Sequence, residues 1–142
     1  ATVIARHPLT DGFPHDGYCD WQFYKMLTGA APVQFNSLPE AFDPIIEVVS
    51  SYKNIRKQAV LFECRVGEGR LLVCSLHLPP ADPAAAYLRR SLLAYAASGD
   101  FQPRASILPD DLGRLLKAGA RAVKKQPKTD QGFDERGQVP KP

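Results

Sequence analysis

The sequence of 142 residues contains three cysteines, one methionine and one tryptophan, and no long apolar run. The odd number of widely spaced cysteines argues against a disulfide framework and against a zinc site. A helix that spans a bilayer needs about 20 consecutive apolar residues, so we expect no membrane partner. No signal-peptide pattern opens the chain. Because Ala1 leads directly into a strand-like segment, we interpret the chain as a piece of a longer protein.

Over most of the chain, the numbers of basic and acidic residues are equal. Residues 121–142 contain six basic and three acidic residues, whereas the remainder contains twelve of each. A nucleic-acid-binding domain places its basic residues on the folded surface, so the sequence argues against a nucleic-acid partner. The hydrophobic content of 44% is that of a globular protein. We predict one domain over residues 1–120, followed by a basic disordered tail or linker over residues 121–142.

A β-hairpin is the strongest pattern in the sequence. Residues 58–66 and 70–76 predict two strands, and Gly67-Glu68-Gly69 between them predicts a tight turn. The second arm is apolar almost throughout, which is typical of a strand in the middle of a sheet that is covered on both faces. Residues 2–5 and 45–49 predict further strands. These patterns indicate an α/β fold with three layers of helix, sheet and helix.

Three helices are predicted between loops that contain proline and glycine. The first covers residues 18–28 with Asp20 as N-cap, and its apolar face contains Trp21, Tyr24 and Met26-Leu27. The second covers residues 83–97 after the N-cap Asp82 and has Ala86, Leu88, Leu92, Leu93 and Ala96 at helical spacing. The third covers residues 109–118 and has acidic residues in its first turn.

Candidate ligand-binding residues lie near the N-terminus, at His7, His15, Trp21 and Tyr24. The spacing of His7, His15 and Cys19 matches no metal-ligand pattern, so we expect neither a metal nor a cofactor. No catalytic residue is assigned, although Cys19 with His15 or His77 leaves a cysteine- or histidine-dependent hydrolase as an alternative. Trp21 and Tyr24 either stack on sugar rings or pack in the core, and the sequence leaves both interpretations open.

Several motifs between His7 and Ala97 together resemble a C-terminal accessory region of large bacterial glycoside hydrolases with a family 2, β-galactosidase-like architecture. That region is similar to class I glutamine amidotransferase-like domains, which are flavodoxin-like. The hairpin and the helix after it are the most specific part. The motifs are His7-Pro8, Phe13-Pro14, Trp21-Gln22, residues 42–46, Arg56-Lys57, residues 61–76 and residues 87–93.

The resemblance implies an accessory role rather than catalysis. Amidotransferase chemistry needs a cysteine on a strand-to-helix turn and a His-x-Glu motif, but Cys64 and Cys74 lie within predicted strands and His-x-Glu does not occur. Glycoside hydrolysis needs two carboxyl groups beside the scissile bond, and the sequence places no such pair. We therefore expect a flavodoxin-like or amidotransferase-like domain without its opening strands. Its expected partner is the catalytic domain of a parent glycoside hydrolase, in the periplasm or outside the cell. A glycan-binding module that holds an oligosaccharide is the alternative.

Overall fold

The computed structural model describes residues 2–35, 42–49 and 56–124 of the chain. Five strands form one open sheet whose ladders are antiparallel: β1 Thr2–Ile4, β2 Val33–Gln34, β3 Ile46–Val48, β4 Gln58–Val66 and β5 Gly69–Cys74. The helices are α1 Tyr24–Thr28, which follows a 3-10 turn at Trp21–Phe23, then α2 Pro83–Ala96 and α3 Pro109–Lys124. The prediction of a mixed α/β domain is thus confirmed. From residue 125 onward, the predicted tail lies outside the described residues.

Strand β4 is the centre of the sheet. Both β3 and β2 pair with its first half, and β5 pairs with its second half from Leu61↔Cys74 to Val66↔Gly69. The predicted hairpin is confirmed, and Gly67 in its turn has a φ of 59°, which favours glycine. The sequence placed β5 in the middle of the sheet, but among the described residues β5 pairs with β4 alone. Its apolar residues reflect packing on both faces rather than a central position.

A β-bulge interrupts the pairing of β4 with β3. Ile46 pairs with Leu61 and the next residue, Glu47, pairs with Ala59, so Val60 is an extra residue on β4. Side chains of a regular strand alternate between the two faces, whereas Val60 and Leu61 both pack into the same cluster. The bulge therefore shifts the alternation by one residue for the rest of β4.

The buried side chains form two clusters that the sheet separates. Leu72 and Cys74 of β5 pack against the cluster that contains α2, while Leu71 and Val73 pack against the cluster that contains Leu115 of α3. Consecutive residues of a strand point to opposite faces, so each face of the sheet is covered. The α3 side also contains three aromatic rings with mutual edge contacts, those of Phe35, Phe42 and Phe62.

Helix α2 begins as the sequence predicts. The Asp82 carboxylate accepts hydrogen bonds from the backbone N–H groups of Ala84 and Ala85, which satisfies two of the free donors of the first turn. The buried face consists of Ala85, Leu88, Leu92 and Tyr95. This face differs from the predicted one, since Leu93 is 68% exposed. Helix α3 extends to Lys124, beyond its predicted end at residue 118. Within the described residues, no helix combines the length and apolar character needed to cross a membrane.

The first predicted helix is shorter than expected and turns its aromatic residues outward. Phe23 and Met26 are buried, whereas Trp21 and Tyr24 are exposed. The predicted N-cap is confirmed, because the Asp20 carboxylate accepts a hydrogen bond from the Trp21 N–H. The end of α1 lies against the chain after β5, where the His77 N–H donates to the Met26 carbonyl.

We predict that Gly29→Ala destabilises the protein by about 1–3 kcal/mol, the usual cost of overpacking. A Cβ atom at Gly29 would lie 2.7 Å from the Cβ atom of His77, so one of the two segments must move. Gly99→Ala is the matched control, because a Cβ atom there meets no neighbour within 4 Å. Urea denaturation of both variants provides the measurement. Equal midpoints for the two variants would contradict the prediction, and His77→Gly in the Gly29→Ala background should restore part of the loss.

Candidate functional site

Three polar side chains from distant parts of the chain meet beside the sheet: His7, Glu63 and Tyr95. His7 lies in the loop after β1, which is held to β3 by the Ala5 N–H bond to the Ile45 carbonyl. Glu63 lies on β4, after the bulge and on the face that α2 covers. Tyr95 continues the buried face of α2. The contact of these side chains therefore depends on β1, β4 and α2 packing together.

Glu63 is contacted by both of its neighbours, and one of the two contacts is a hydrogen bond. The Tyr95 hydroxyl donates to Glu63 Oε2 over 2.8 Å, and His7 Nε2 lies 3.5 Å from Glu63 Oε1. His7 Nδ1 accepts from the Leu9 N–H, so the neutral tautomer that fits carries its proton on Nε2. That proton faces Glu63 and also the Tyr95 oxygen at 3.4 Å. The Tyr95 hydroxyl thereby orients the Glu63 carboxylate, and His7 lies beside its other oxygen.

The environment of Tyr95 disfavours loss of its proton. Burial raises the pKa of the Tyr95 hydroxyl, and the hydrogen bond to Glu63 and the negative charges of Glu63 and Asp100 raise it further. An anionic oxygen at this position would lie beside a carboxylate with little water to stabilise it. The hydroxyl therefore stays a donor to Glu63 throughout the neutral range.

These three residues lie in an open depression that we call the polar groove. A parallel bridge forms one wall, since the Arg65 N–H donates to the Ala105 carbonyl and the Ile107 N–H donates to the Arg65 carbonyl. The extended segment of residues 105–107 thus runs beside β4. The charged and polar side chains that line the polar groove are Arg6, His7, Asp43, Glu63, Tyr95, Asp100, Gln102, Arg104 and Ser106.

The predicted aromatic residues form a second feature, which we call the aromatic platform. Trp21 is 84% exposed and Tyr24 is 64% exposed. Their ring centroids are 6.4 Å apart and the ring planes differ by 45°. The neighbouring surface is shared with Cys19, Leu27 and Thr28. Of the two interpretations left open by the sequence, core packing is wrong for these two rings.

The four predicted ligand-binding residues therefore occupy more than one place. His7 belongs to the polar groove, and it shares a shallow depression with His15. His15 Nδ1 accepts from the Gly17 N–H over 3.0 Å, which stabilises the turn between them. Trp21 and Tyr24 line a different surface from the two histidines. The described residues contain no group of His, Cys, Asp and Glu side chains arranged to hold a metal ion.

All three cysteines are free thiols. Burial raises the pKa of each thiol above its ordinary value. For Cys64, the neighbouring charge of Glu63 raises the pKa further. Because the thiolate is the nucleophile, these surroundings oppose cysteine catalysis. His77 is exposed, and its backbone N–H serves to hold α1.

Glu63 and Tyr95 were missed as site residues because their patterns are those of ordinary structural positions. Glu63 lies between the apolar residues Phe62 and Cys64 on a strand. A polar residue that alternates with apolar ones in this way is typical of a solvent-facing position. One signal was present: Glu63 is the acidic residue within a strand that is otherwise buried almost to its end. A carboxylate in such a strand requires donors on another element, and Tyr95 of α2 supplies one.

The comparisons with known proteins give a family but no activity. Residues 1–117 match the family model described as a domain of unknown function, DUF8487. The match covers most of the chain, so the chain belongs to this family. A search of curated proteins finds no match.

We predict that Tyr95 ionises at a higher pH than an ordinary tyrosine, whose pKa is near 10. The folded state holds this proton more tightly than the unfolded chain does. The resulting stability is fully present below the unfolded pKa and is lost as the pH rises toward the folded pKa. An ultraviolet difference titration of the wild type against Tyr95→Phe isolates this hydroxyl. A difference signal that titrates near pH 10 would contradict the arrangement.

Tyr95→Phe should also cost about 1–2 kcal/mol of stability at neutral pH, because Glu63 loses a buried donor. Tyr87→Phe is the control. The Tyr87 hydroxyl also donates one hydrogen bond, to the Gly12 carbonyl, but it does so at an exposed position. Thermal unfolding of the two variants should therefore differ, with the larger loss for Tyr95→Phe.

We predict slow alkylation of all three cysteines at neutral pH. Iodoacetamide should modify the folded chain more slowly than it modifies free glutathione, because the raised pKa leaves little thiolate. Mass spectrometry at successive times measures the modification, and the same reaction in denaturant supplies the unprotected rates. One thiol that reacts rapidly in the folded chain would instead favour the hydrolase alternative.

Proposed function

We propose that this chain is a non-catalytic accessory domain of a carbohydrate-active enzyme, and that the aromatic platform packs against the catalytic domain of a parent glycoside hydrolase. The observation that carries the proposal is the exposure of Trp21 and Tyr24 beside each other. Exposed tryptophan and tyrosine are costly to leave in water and are enriched at the centres of protein interfaces. Neither ring is needed for the core, because Phe23 and Met26 anchor the same segment.

The non-catalytic part of the proposal draws support from the chemistry of the candidate groups. The cysteine thiols have raised pKa values, which disfavours a nucleophile. Cys64 and Cys74 lie on β4 and β5 rather than on a strand-to-helix turn. Glu63 Oε2 accepts from the Tyr95 hydroxyl, and Glu63 Oε1 lies 3.5 Å from His7 Nε2. Hydrolysis of a glycan by the purified chain would contradict this part.

We propose in addition that the domain has three layers and is related to amidotransferase-like folds through that layering. The coverage of one sheet face by α2 and of the other by α3 supports the layering. The antiparallel ladders differ from the mostly parallel sheet of a complete flavodoxin-like domain. The relationship is therefore one of layer arrangement, not of strand direction.

A glycan-binding module is the second candidate function, with the same two rings as its binding surface. Aromatic faces stack on the apolar C–H face of a sugar ring, and the two exposed rings are close enough to contact one oligosaccharide. In this case an oligosaccharide replaces the catalytic domain as the partner of Trp21. The two candidates differ in what protects Trp21 from water.

We predict that Trp21→Ala leaves the fold intact and removes binding. Its stability should change by no more than about 0.5 kcal/mol, because the side chain is exposed. Co-expression with the catalytic domain of the proposed parent glycoside hydrolase should give a complex with the wild-type chain, and none with Trp21→Ala. Leu93→Ala, at an exposed apolar position on α2, is the control and should bind as the wild type does.

Fluorescence provides a direct measurement, because Trp21 is the only tryptophan of the chain. Docking of a protein domain should shift its emission to shorter wavelength. A shift with oligosaccharides, together with a rise in the unfolding temperature, would favour the glycan-binding module. An emission spectrum that neither the hydrolase domain nor any sugar alters would contradict both candidates.

A further inference from the structure

The polar groove contains both hydrogen-bond donors and acceptors, and its positive and negative charges are equal in number. Its cations are Arg6 and Arg104, and its carboxylates are those of Asp43, Glu63 and Asp100. Asp43 is paired with Lys57 over 2.9 Å, so three positive charges face three negative ones. A ligand with a net charge would gain attraction from one set of these groups and repulsion from the other.

Several of these groups are free to bind a ligand. Within the described part of the chain, the side chains of Arg6 and Arg104 make no hydrogen bond or ion pair. Gln102 uses its amide N–H to bond the Gly99 carbonyl, which leaves its amide oxygen available as an acceptor. Because the cations donate and the carboxylates accept, a molecule that both donates and accepts at neighbouring atoms would match them.

Glu63 provides the best-oriented acceptor in the polar groove. A carboxylate has about four lone-pair sites, and the Tyr95 hydroxyl uses one of them. The Glu63 side chain is 13% exposed, so its remaining sites are reachable at the floor of the polar groove. Since the Tyr95 hydroxyl already orients the carboxylate, little conformational entropy is lost when a ligand binds to it.

We infer that the polar groove is a binding subsite for a neutral saccharide, separate from the aromatic platform. Sugar hydroxyls donate to carboxylates and accept from guanidinium groups, and hydrogen bonds to charged partners are the stronger kind. Pro8 and Pro44, which line the same groove, offer apolar surface to the ring carbons. This inference rests on the proposed role in a carbohydrate-active enzyme and names the ligand class of a second site.

The test is an NMR titration of the ¹⁵N-labelled chain with lactose, cellobiose and maltose, each added to millimolar concentration. We expect saturable shifts of the amides of His7, Glu63 and Gln102 with at least one of the three sugars. The amides of α3 serve as the internal reference. No saturable shift at the polar groove with any of the sugars would overturn the inference.

Two variants separate sugar binding from a purely structural role of the network. Arg104→Gln changes an exposed side chain that makes no hydrogen bond or ion pair among the described residues, and Glu63→Gln removes the charged acceptor. Each substitution should raise the dissociation constant of the sugar that binds by about tenfold, which is the effect of losing one charge-assisted hydrogen bond. Arg89→Gln, exposed on α2 outside the polar groove, is the control and should leave affinity unchanged. Unaltered affinity in Arg104→Gln and Glu63→Gln would overturn the inference.

The position of the shifts distinguishes failure of this inference from failure of the proposed function. Shifts confined to Trp21, Tyr24 and their neighbours would overturn the polar groove as a subsite and favour the glycan-binding module on the aromatic platform. Saturable shifts at the polar groove that persist in Trp21→Ala support the inference. The complex with the hydrolase domain is measured separately, so its absence tests the accessory role and not this site.

Discussion

Strand β4 has to be buried on two faces and paired on two edges at once, and the rest of the domain depends on this requirement. Its first five residues are all buried, so neither face of the sheet can remain in water there. One face requires α2 and the loop that contains His7, and the other requires α3 and the aromatic residues around Phe62. Removing either layer would expose apolar surface of the most buried strand, at a cost of about 25 cal/mol per Å².

The sequence predicts the elements better than it predicts their contacts. The hairpin and the Asp82 cap could be found because their signals lie within a few residues of each other: two glycines between two apolar runs, and an aspartate before proline. The position of β5 could not be found in this way. A strand that is covered on both faces has an apolar sequence whether it pairs with one neighbouring strand or with two. Only the pairing partners, which lie far away in the sequence, distinguish these two positions.

The polar groove shows the same limit more strongly. Tyr95 is 88 residues from His7 and 32 residues from Glu63 along the chain, so no local spacing could connect them. His7 could be named as a candidate from the sequence, but its partners depend on how α2 packs on β4. The outward direction of Trp21 and Tyr24 could not be decided from spacing, since Trp21 and Tyr24 are three residues apart, as are Phe23 and Met26. Either pair therefore lies on one face of a helix, and the helical period does not decide which pair enters the core.

The extra residue Val60 determines which side of the sheet each later side chain of β4 faces. Ala59 packs on the α3 side and Val60 on the α2 side, and a regular strand would then send Leu61 back to the α3 side. Because Leu61 repeats the direction of Val60, every later residue is displaced by one step, and Glu63 faces α2. In a straight β4 with the same sequence, the Glu63 carboxylate would point to the side of Phe35 and Phe42, and Phe62 would face the α2 side in its place. The chemical character of each side of this sheet is therefore set by the geometry of one peptide unit, not by composition alone.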